Sequence, residues 1–122
     1  MDKIIITSVG ILVAALVIIN AFFPQKGKKD KLLQEVLNEK NALLVDVRTP
    51  EEFKEHFVEN SINIPLDTIE QNLDKFKGHE YIIVFCKSGR RSGEAKDILE
   101  KHGFTNVFNG GSWQNVKKIN KG

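Results

Sequence analysis

Cysteine is almost absent from this 122-residue sequence, which contains only Cys86. One cysteine excludes a disulfide within the chain, and no cysteine and histidine cluster has the spacing of a zinc site. We therefore expect no metal and no cofactor. The net charge is +2, and the only local excess of lysine, at Lys26, Lys28, Lys29 and Lys31, has no aromatic residues interleaved. A nucleic-acid partner is therefore not expected.

Charge is missing altogether from residues 4–23, which read IIITSVGILVAALVIINAFF. A helix of 20 residues is about 30 Å long, the thickness of the hydrocarbon core of a bilayer. The run is longer than the apolar core of a signal peptide, and it lacks a fitting cleavage site. It is predicted to be an uncleaved transmembrane helix, between a short tail (residues 1–3) and a basic linker (residues 24–29). Export with this segment as a signal peptide is the alternative.

The orientation of this segment follows from the positive charges on its two sides. Lys3 is partly offset by Asp2, whereas four lysines against Asp30 follow the segment. Positive flanks stay in the cytoplasm. We therefore expect a single-pass protein of an inner or plasma membrane, with its N-terminus outside and its C-terminal domain in the cytoplasm.

Residues 30–119 are predicted to form one α/β domain. Short apolar runs predict strands at Ala42–Val47, Ser61–Ile64, Tyr81–Phe85 and Asn106–Phe108. Between and after them, helical spacing and capping signals predict helices that begin at the N-caps Asp30 and Thr49 and that cover Asp67–Phe76, Ser92–His102 and Ser112–Ile119. Gly110-Gly111 is predicted to be a tight turn. Strands that alternate with helices indicate a parallel sheet with helices on both faces.

Three chemically distinctive residues fall at the C-terminal ends of predicted strands. Asp46 and Arg48 end the first strand, and Cys86 follows the central one. Ligands of open α/β sheets bind at these ends. The positions of these residues therefore predict a functional site there.

The loop after the central strand reads Cys86-Lys87-Ser88-Gly89-Arg90-Arg91. Between a strand and a helix N-terminus, such a loop can turn its backbone N–H groups inward and bind an anion, and glycine permits the positive φ that this requires. The three cations and the helix dipole should lower the cysteine pKa from its usual value of about 8.5. This arrangement suits a nucleophilic thiolate that attacks an anionic substrate. An ordinary basic turn after a strand is the alternative.

Several motifs, in the right order, make the sequence similar to the rhodanese family. The pattern C-x-x-G-x-R-S is matched by Cys86, Gly89, Arg91 and Ser92. LVDVRTPEEF, INIP and NVFNGGSW, at residues 44–53, 62–65 and 106–113, resemble the family's other signature segments. The resemblance covers nearly all of residues 30–118 and implies the rhodanese-like parallel sheet.

The resemblance implies a sulfurtransferase that moves sulfane sulfur from a donor such as thiosulfate to a thiophilic acceptor. Cys86 would carry the sulfur as a persulfide, and the backbone of residues 87–91 would cradle it. Arg91, with Lys87 as a second candidate, would attract the anionic donor. Asp46 and Arg48 would form an ion-paired brace beneath the loop. With one cysteine, the acceptor must be external: a thiol, cyanide or a thiol protein.

Two features qualify the resemblance. The family's histidine ahead of the INIP segment is displaced by one position, and His56 is interpreted as a surface residue at a helix end. The residues between Cys86 and Arg91 number four, one fewer than in related phosphatases, which argues against a phosphatase or an arsenate reductase. A membrane-anchored rhodanese-like module that binds without catalysis is the other alternative.

Overall fold

The structure is a computed structural model that describes residues 26–39 and 41–120. The chain divides into two compact units, Met1–Leu32 and Leu33–Gly122, and the described residues of the first belong to the first described helix. Within the two described ranges, no helix has both the length and the hydropathy needed to cross a membrane. The predicted transmembrane helix, residues 4–23, and the tail before it lie outside those ranges.

Nine segments of regular structure follow one another along the described chain. In order they are α1 (Lys26–Leu37), β1 (Ala42–Asp46), α2 (Pro50–Glu55), β2 (Ile62–Asn63), a 3-10 segment (Leu66–Phe76), β3 (Tyr81–Cys86), α3 (Arg90–Lys101), β4 (Val107–Ser112) and α4 (Trp113–Asn120). All four strands pair in parallel, in the order β2-β1-β3-β4. The predicted α/β fold with a parallel sheet is confirmed.

Alternate residues of β3 face two separate cores, because successive side chains of a strand point to opposite faces of the sheet. Ile82, Val84 and Cys86 belong to one core, and Ile83 and Phe85 belong to the other. The first core is completed by Ile69 and Phe76 of the 3-10 segment and by Ala95 and Leu99 of α3; the second is completed by Leu33 and Val36 of α1 and by Val116 of α4. Helices therefore cover both faces, as predicted.

The predicted N-cap of α2, Thr49, is confirmed, and it forms a reciprocal cap with Glu52. The Thr49 side chain accepts a hydrogen bond from the Glu52 backbone N–H, and the Glu52 side chain accepts one from the Thr49 backbone N–H. Pro50 occupies the first helical position, where its missing N–H costs nothing. This reciprocal cap fixes the place of Glu52 at the start of the helix.

Several predicted elements differ from the structure in their bounds or type. The helix α3 begins at Arg90, two residues before the predicted Ser92. The helix α1 already includes Lys26, so Asp30 is not its N-cap and the described part of the linker is helical, in line with the high helix propensity of lysine. Asp67–Phe76 lies in a 3-10 segment that is interrupted by non-helical φ and ψ at Asn72. The last predicted strand is longer at its C-terminal end, where β4 continues to Ser112.

Gly110 and Gly111 do not form the predicted tight turn, because β4 runs through both of them. Val84 pairs with Asn109 and Phe85 pairs with Gly111, so that Gly110 is the extra residue of a bulge. Gly111 has a φ of 81°, and a Cβ on Gly110 would lie 2.9 Å from Val116 Cγ2. The two glycines thus serve a bulge and a close contact with α4.

Candidate active site

The loop predicted to carry the chemistry joins β3 to α3. Cys86 is the last residue of β3, and α3 begins at Arg90. Gly89 has a φ of 96°, the left-handed conformation that was expected of it. A Cβ at this position would also lie 3.4 Å from the Cα of Gly111 in β4. The glycine thus lets the loop curl tightly beside the bulge.

The Cys86 thiol lies beneath this loop, fully buried. The Gly89 backbone N–H donates a hydrogen bond to Cys86 Sγ at 3.0 Å, and the Ser92 hydroxyl lies 3.4 Å from the sulfur. Burial raises the pKa of Cys86, but the hydrogen bonds of the Ser92 hydroxyl and of loop backbone amides outweigh it and leave the pKa below its ordinary value. The predicted lowering of this pKa is confirmed.

The source of the lowered pKa differs in part from the expectation. Hydrogen bonds from one side chain and from the backbone of Ser88, Gly89 and Ser92 account for it. Lys87 and Arg90, two of the three loop cations, have exposed side chains. Hydrogen bonds from uncharged donors are therefore the larger cause of the lowered pKa, ahead of the expected attraction to positive charge.

Asn109 of β4 connects three parts of the site and was not singled out from the sequence. Its Oδ1 accepts hydrogen bonds from the Ser92 hydroxyl at 2.7 Å and from the Gly111 N–H at 2.9 Å. Its Nδ2 donates to the Gly89 carbonyl oxygen at 3.0 Å. An asparagine before two glycines ordinarily indicates a turn, so the local pattern gave no signal of this role.

Arg91 forms a two-point ion pair with Glu52 at the start of α2. Its Nη1 lies 2.7 Å from Glu52 Oε1, and its Nη2 lies 3.1 Å from Oε2. The Arg91 hydrogen bond is the main cause that lowers the pKa of Glu52 to about 2. The same contact raises the pKa of Arg91, which also gains from the nearby charge of Cys86. Arg91 is therefore both anchored to α2 and electrostatically linked to the sulfur.

Asp46 and Arg48 form the predicted ion pair, and both are almost completely buried. Arg48 Nε donates to Asp46 Oδ1 at 3.0 Å and to Oδ2 at 2.9 Å, and Arg48 Nη2 donates to Oδ2 at 2.7 Å. Arg48 also donates to the His56 carbonyl oxygen and lies 5.1 Å from the centre of the Trp113 ring. The pair therefore ties the end of β1 to the end of α2 and to the start of α4.

His56 is an exposed residue at the C-terminal end of α2, as predicted. Its ring stacks on the Trp113 ring, with centroids 5.5 Å apart and planes 6° from parallel. Trp113 is thus held between a histidine and an arginine. It packs as a structural residue.

Comparison with known proteins agrees with this geometry. The family model for the rhodanese-like domain matches residues 29–118. The chain belongs to this family. A mitochondrial relative from Schizosaccharomyces pombe is 39% identical over an alignment of 90 residues that covers 62% of this chain and 63% of the relative. Thiosulfate sulfurtransferase PspE of Escherichia coli is 36% identical over 77 residues, covering 59% of this chain and 71% of the relative.

A solved structure gives the same picture. A rhodanese with anions from E. coli is 34% identical and superposes with a TM-score of 0.57 over 61% of this chain and 89% of its own. The chain thus spans somewhat less than two thirds of the yeast relative and most of the bacterial proteins.

In the rhodanese-like domain, the predicted site residues fall into two groups. The first, around the sulfur, comprises Cys86, Gly89 and Ser92, which are in direct contact, together with Ser88, whose backbone helps to lower the cysteine pKa. The second comprises Lys87 and Arg90, which are exposed, and Arg91, which lines an open groove of about 590 Å³. Among the described residues, no group of three or more acidic, histidine or cysteine side chains could hold a metal ion.

Proposed function

We propose that this chain is a thiosulfate sulfurtransferase that carries sulfur on Cys86. The observation that carries the proposal is the environment of the sulfur, with the Gly89 N–H at 3.0 Å and the Ser92 hydroxyl at 3.4 Å. These donors favour the thiolate, which is the nucleophilic form of cysteine. The thiosulfate sulfurtransferase from E. coli, to which the chain is similar, supports thiosulfate as the donor.

The first half-reaction forms a persulfide on the enzyme. The Cys86 thiolate attacks the sulfane sulfur of thiosulfate, a bond forms between the two sulfurs, and sulfite leaves with the electron pair of the broken sulfur–sulfur bond. The negative charge of the cysteine moves to the outer sulfur of the persulfide. Backbone N–H groups of residues 87–91 are suitable donors to that charge, because these residues lead into the N-terminus of α3.

The second half-reaction needs an acceptor from outside the chain, because the sequence has no second cysteine. A thiolate or cyanide attacks the outer sulfur, which leaves as a new persulfide or as thiocyanate and restores the Cys86 thiolate. An external thiol, a thiol protein or cyanide can fill this role.

The test of this function is a comparison of the full-length chain with its Cys86→Ser variant. The wild type should gain the mass of one sulfur atom from thiosulfate and release it as thiocyanate when cyanide is added. The variant should keep its melting temperature and lose both signals. Equal thiocyanate rates for the two proteins would contradict the proposal, and thiosulfate binding without a mass increase in the wild type would instead indicate a non-catalytic binding module.

We also propose that residues 4–23 anchor the domain to a membrane, with the domain in the cytoplasm. The support comes from the sequence: 20 uncharged residues followed by four lysines. The full-length chain should stay in the membrane fraction through an alkaline carbonate wash. A Leu12→Arg, Leu16→Arg double variant should be released, since each arginine costs about 2.5 to 3.5 kcal/mol at the centre of a bilayer. Recovery of the wild type in the supernatant would contradict the anchor.

A further inference from the structure

The hydrogen bonds around Asn109 fix the direction of its carboxamide. Gly111 offers an N–H, which only the oxygen end can accept, and Gly89 offers a carbonyl oxygen, to which only the nitrogen end can donate. Turning the amide over would break both hydrogen bonds. The atom that faces Ser92 is therefore Oδ1, an acceptor.

This orientation determines where the Ser92 proton points. A serine hydroxyl has one proton, and at 2.7 Å that proton is donated to Asn109 Oδ1. The hydrogen bond between Ser92 and Cys86 must then run the other way, from the thiol S–H to the serine oxygen. When Cys86 ionises and its proton goes to the solvent, the sulfur becomes an acceptor only. Ser92 can stabilise it only by turning its proton away from Asn109.

We infer that Asn109 is a positioning residue for Cys86: its amide nitrogen holds the loop through the Gly89 carbonyl, and its amide oxygen competes with the sulfur for the Ser92 proton. By holding the Gly89 carbonyl, it helps to keep the N–H of Gly89 in its hydrogen bond with the sulfur. Through Ser92 it limits how far the thiolate is stabilised. Both the sulfur and the Ser92 side chain are buried, so water does not replace either partner.

The charged groups near the sulfur lie on elements other than β4, the strand that contains Asn109. Arg91 of α3 interacts electrostatically with Cys86, and Glu52 of α2 is paired with Arg91. Asp46, at the end of β1, is paired with Arg48. In β4, the register partner of Cys86 is Ser112, which does not titrate at neutral pH. A change at Asn109 therefore leaves each of these ion pairs intact.

A double-mutant cycle on the full-length chain tests the competition. The pKa of Cys86 is measured from the pH dependence of iodoacetamide alkylation, and the single cysteine makes this signal specific. Ser92→Ala should raise the pKa, because it removes a donor to the thiolate. In the Asn109→Ala background the competing acceptor is gone. There, Ser92→Ala should raise the Cys86 pKa by a larger amount than it does in the wild-type background. The extra change should be roughly threefold or more in the ionisation constant, within the range of couplings between neighbouring residues.

The outcomes of the cycle are distinguishable. Additive shifts, or a smaller effect of Ser92→Ala in the Asn109→Ala background, would overturn the inference. If Asn109→Ala does not fold, Asn109→Ser takes its place, with the same expected sign. Asn72→Ala is the matched control: it removes an asparagine amide that donates to a backbone carbonyl, that of Thr68 at 2.8 Å, in the remote 3-10 segment. It should leave the Cys86 pKa unchanged in both backgrounds.

The role in catalysis rests on the proposed function, but the alkylation test does not. It needs no sulfur donor, so a protein without transferase activity would still report the coupling. If transfer from thiosulfate is active, Asn109→Ala should change kcat more than KM, because the residue acts on the nucleophile and its loop rather than on the donor.

Discussion

Arg91, in the first turn of α3, is joined to Glu52 by two hydrogen bonds of 2.7 and 3.1 Å, although 39 positions separate them in the sequence. Both side chains remain about one third exposed. The arginine expected to attract the donor is therefore already paired with a carboxylate at the edge of the site. Its positive charge is shared between α2 and any anion that approaches Cys86.

We expect Arg91→Ala to raise the KM for thiosulfate by roughly tenfold or more, because a charge-assisted contact contributes about 1.5 to 3 kcal/mol. Arg91→Lys should recover part of this, since an ammonium keeps the charge but not the planar pair of donors. Steady-state kinetics, together with the Cys86 pKa of each variant, check the prediction. An unchanged KM in Arg91→Ala would mean that Lys87 or Arg90 attracts the donor instead.

Glu52→Gln should change the KM for thiosulfate in the opposite direction. The neutral amide still accepts the hydrogen bond from the Thr49 N–H, so the cap of α2 remains, but the charge of Arg91 is no longer offset. The KM for thiosulfate should fall by about two- to fivefold, in line with the modest energy of a partly exposed ion pair. Kinetics at low and moderate salt check this. A KM that rises would contradict the shared role of Arg91.

The same ion pair should make the stability of the domain depend on pH. The folded pKa of Glu52 is about 2, below its ordinary value of 4.5, so its stabilising contribution is present above about pH 4.5 and is lost as the pH falls towards 2. Because solvent screens this partly exposed pair, we expect about 1 kcal/mol. Melting temperatures of the wild type and Glu52→Gln should therefore differ at pH 6 and converge near pH 2. A constant difference would contradict the prediction.

Asp46→Asn should strongly destabilise the fold. It leaves the Arg48 guanidinium buried without its carboxylate partner, which typically costs about 3 to 5 kcal/mol. Urea unfolding measures the loss. Asp74→Asn is the control, because the Asp74 carboxylate, paired with Lys77, is 93% exposed and should contribute nothing measurable. Similar stabilities for the two variants would argue against the Asp46–Arg48 brace.

Gly110→Ala should destabilise the domain by about 1 to 3 kcal/mol through overpacking. The new methyl group would lie 2.9 Å from Val116 Cγ2 and 3.1 Å from Ile83 Cγ2, and both of these side chains are fully buried. Gly27→Ala serves as the control, because a Cβ there meets nothing within 4 Å and the residue is helical. It should be neutral or should stabilise its helix by up to about 1 kcal/mol. A neutral Gly110→Ala would contradict the packing.

The sequence by itself determined the features that depend on neighbours along the chain. Thr49 and Pro50 define the start of α2 because a cap is made within one helical turn. The apolar run of β3, the positive φ of Gly89 and the position of the cysteine at a helix N-terminus are equally local, and all were predicted. The alternation of strands and helices was enough to predict a parallel sheet.

Only the tertiary structure decided which distant groups meet. Asn109 reaches Ser92 and Gly89 across 17 and 20 positions because β4 pairs with β3 next to the loop, and a bulge at Gly110 sets the register. Gly110 and Gly111 look like a turn when only their neighbours in the sequence are considered. Hydrogen bonds and ion pairs between elements depend on distances that strand pairing and helix packing create. The contacts of Asn109 with Ser92 and Gly89 were therefore not predictable from the local pattern.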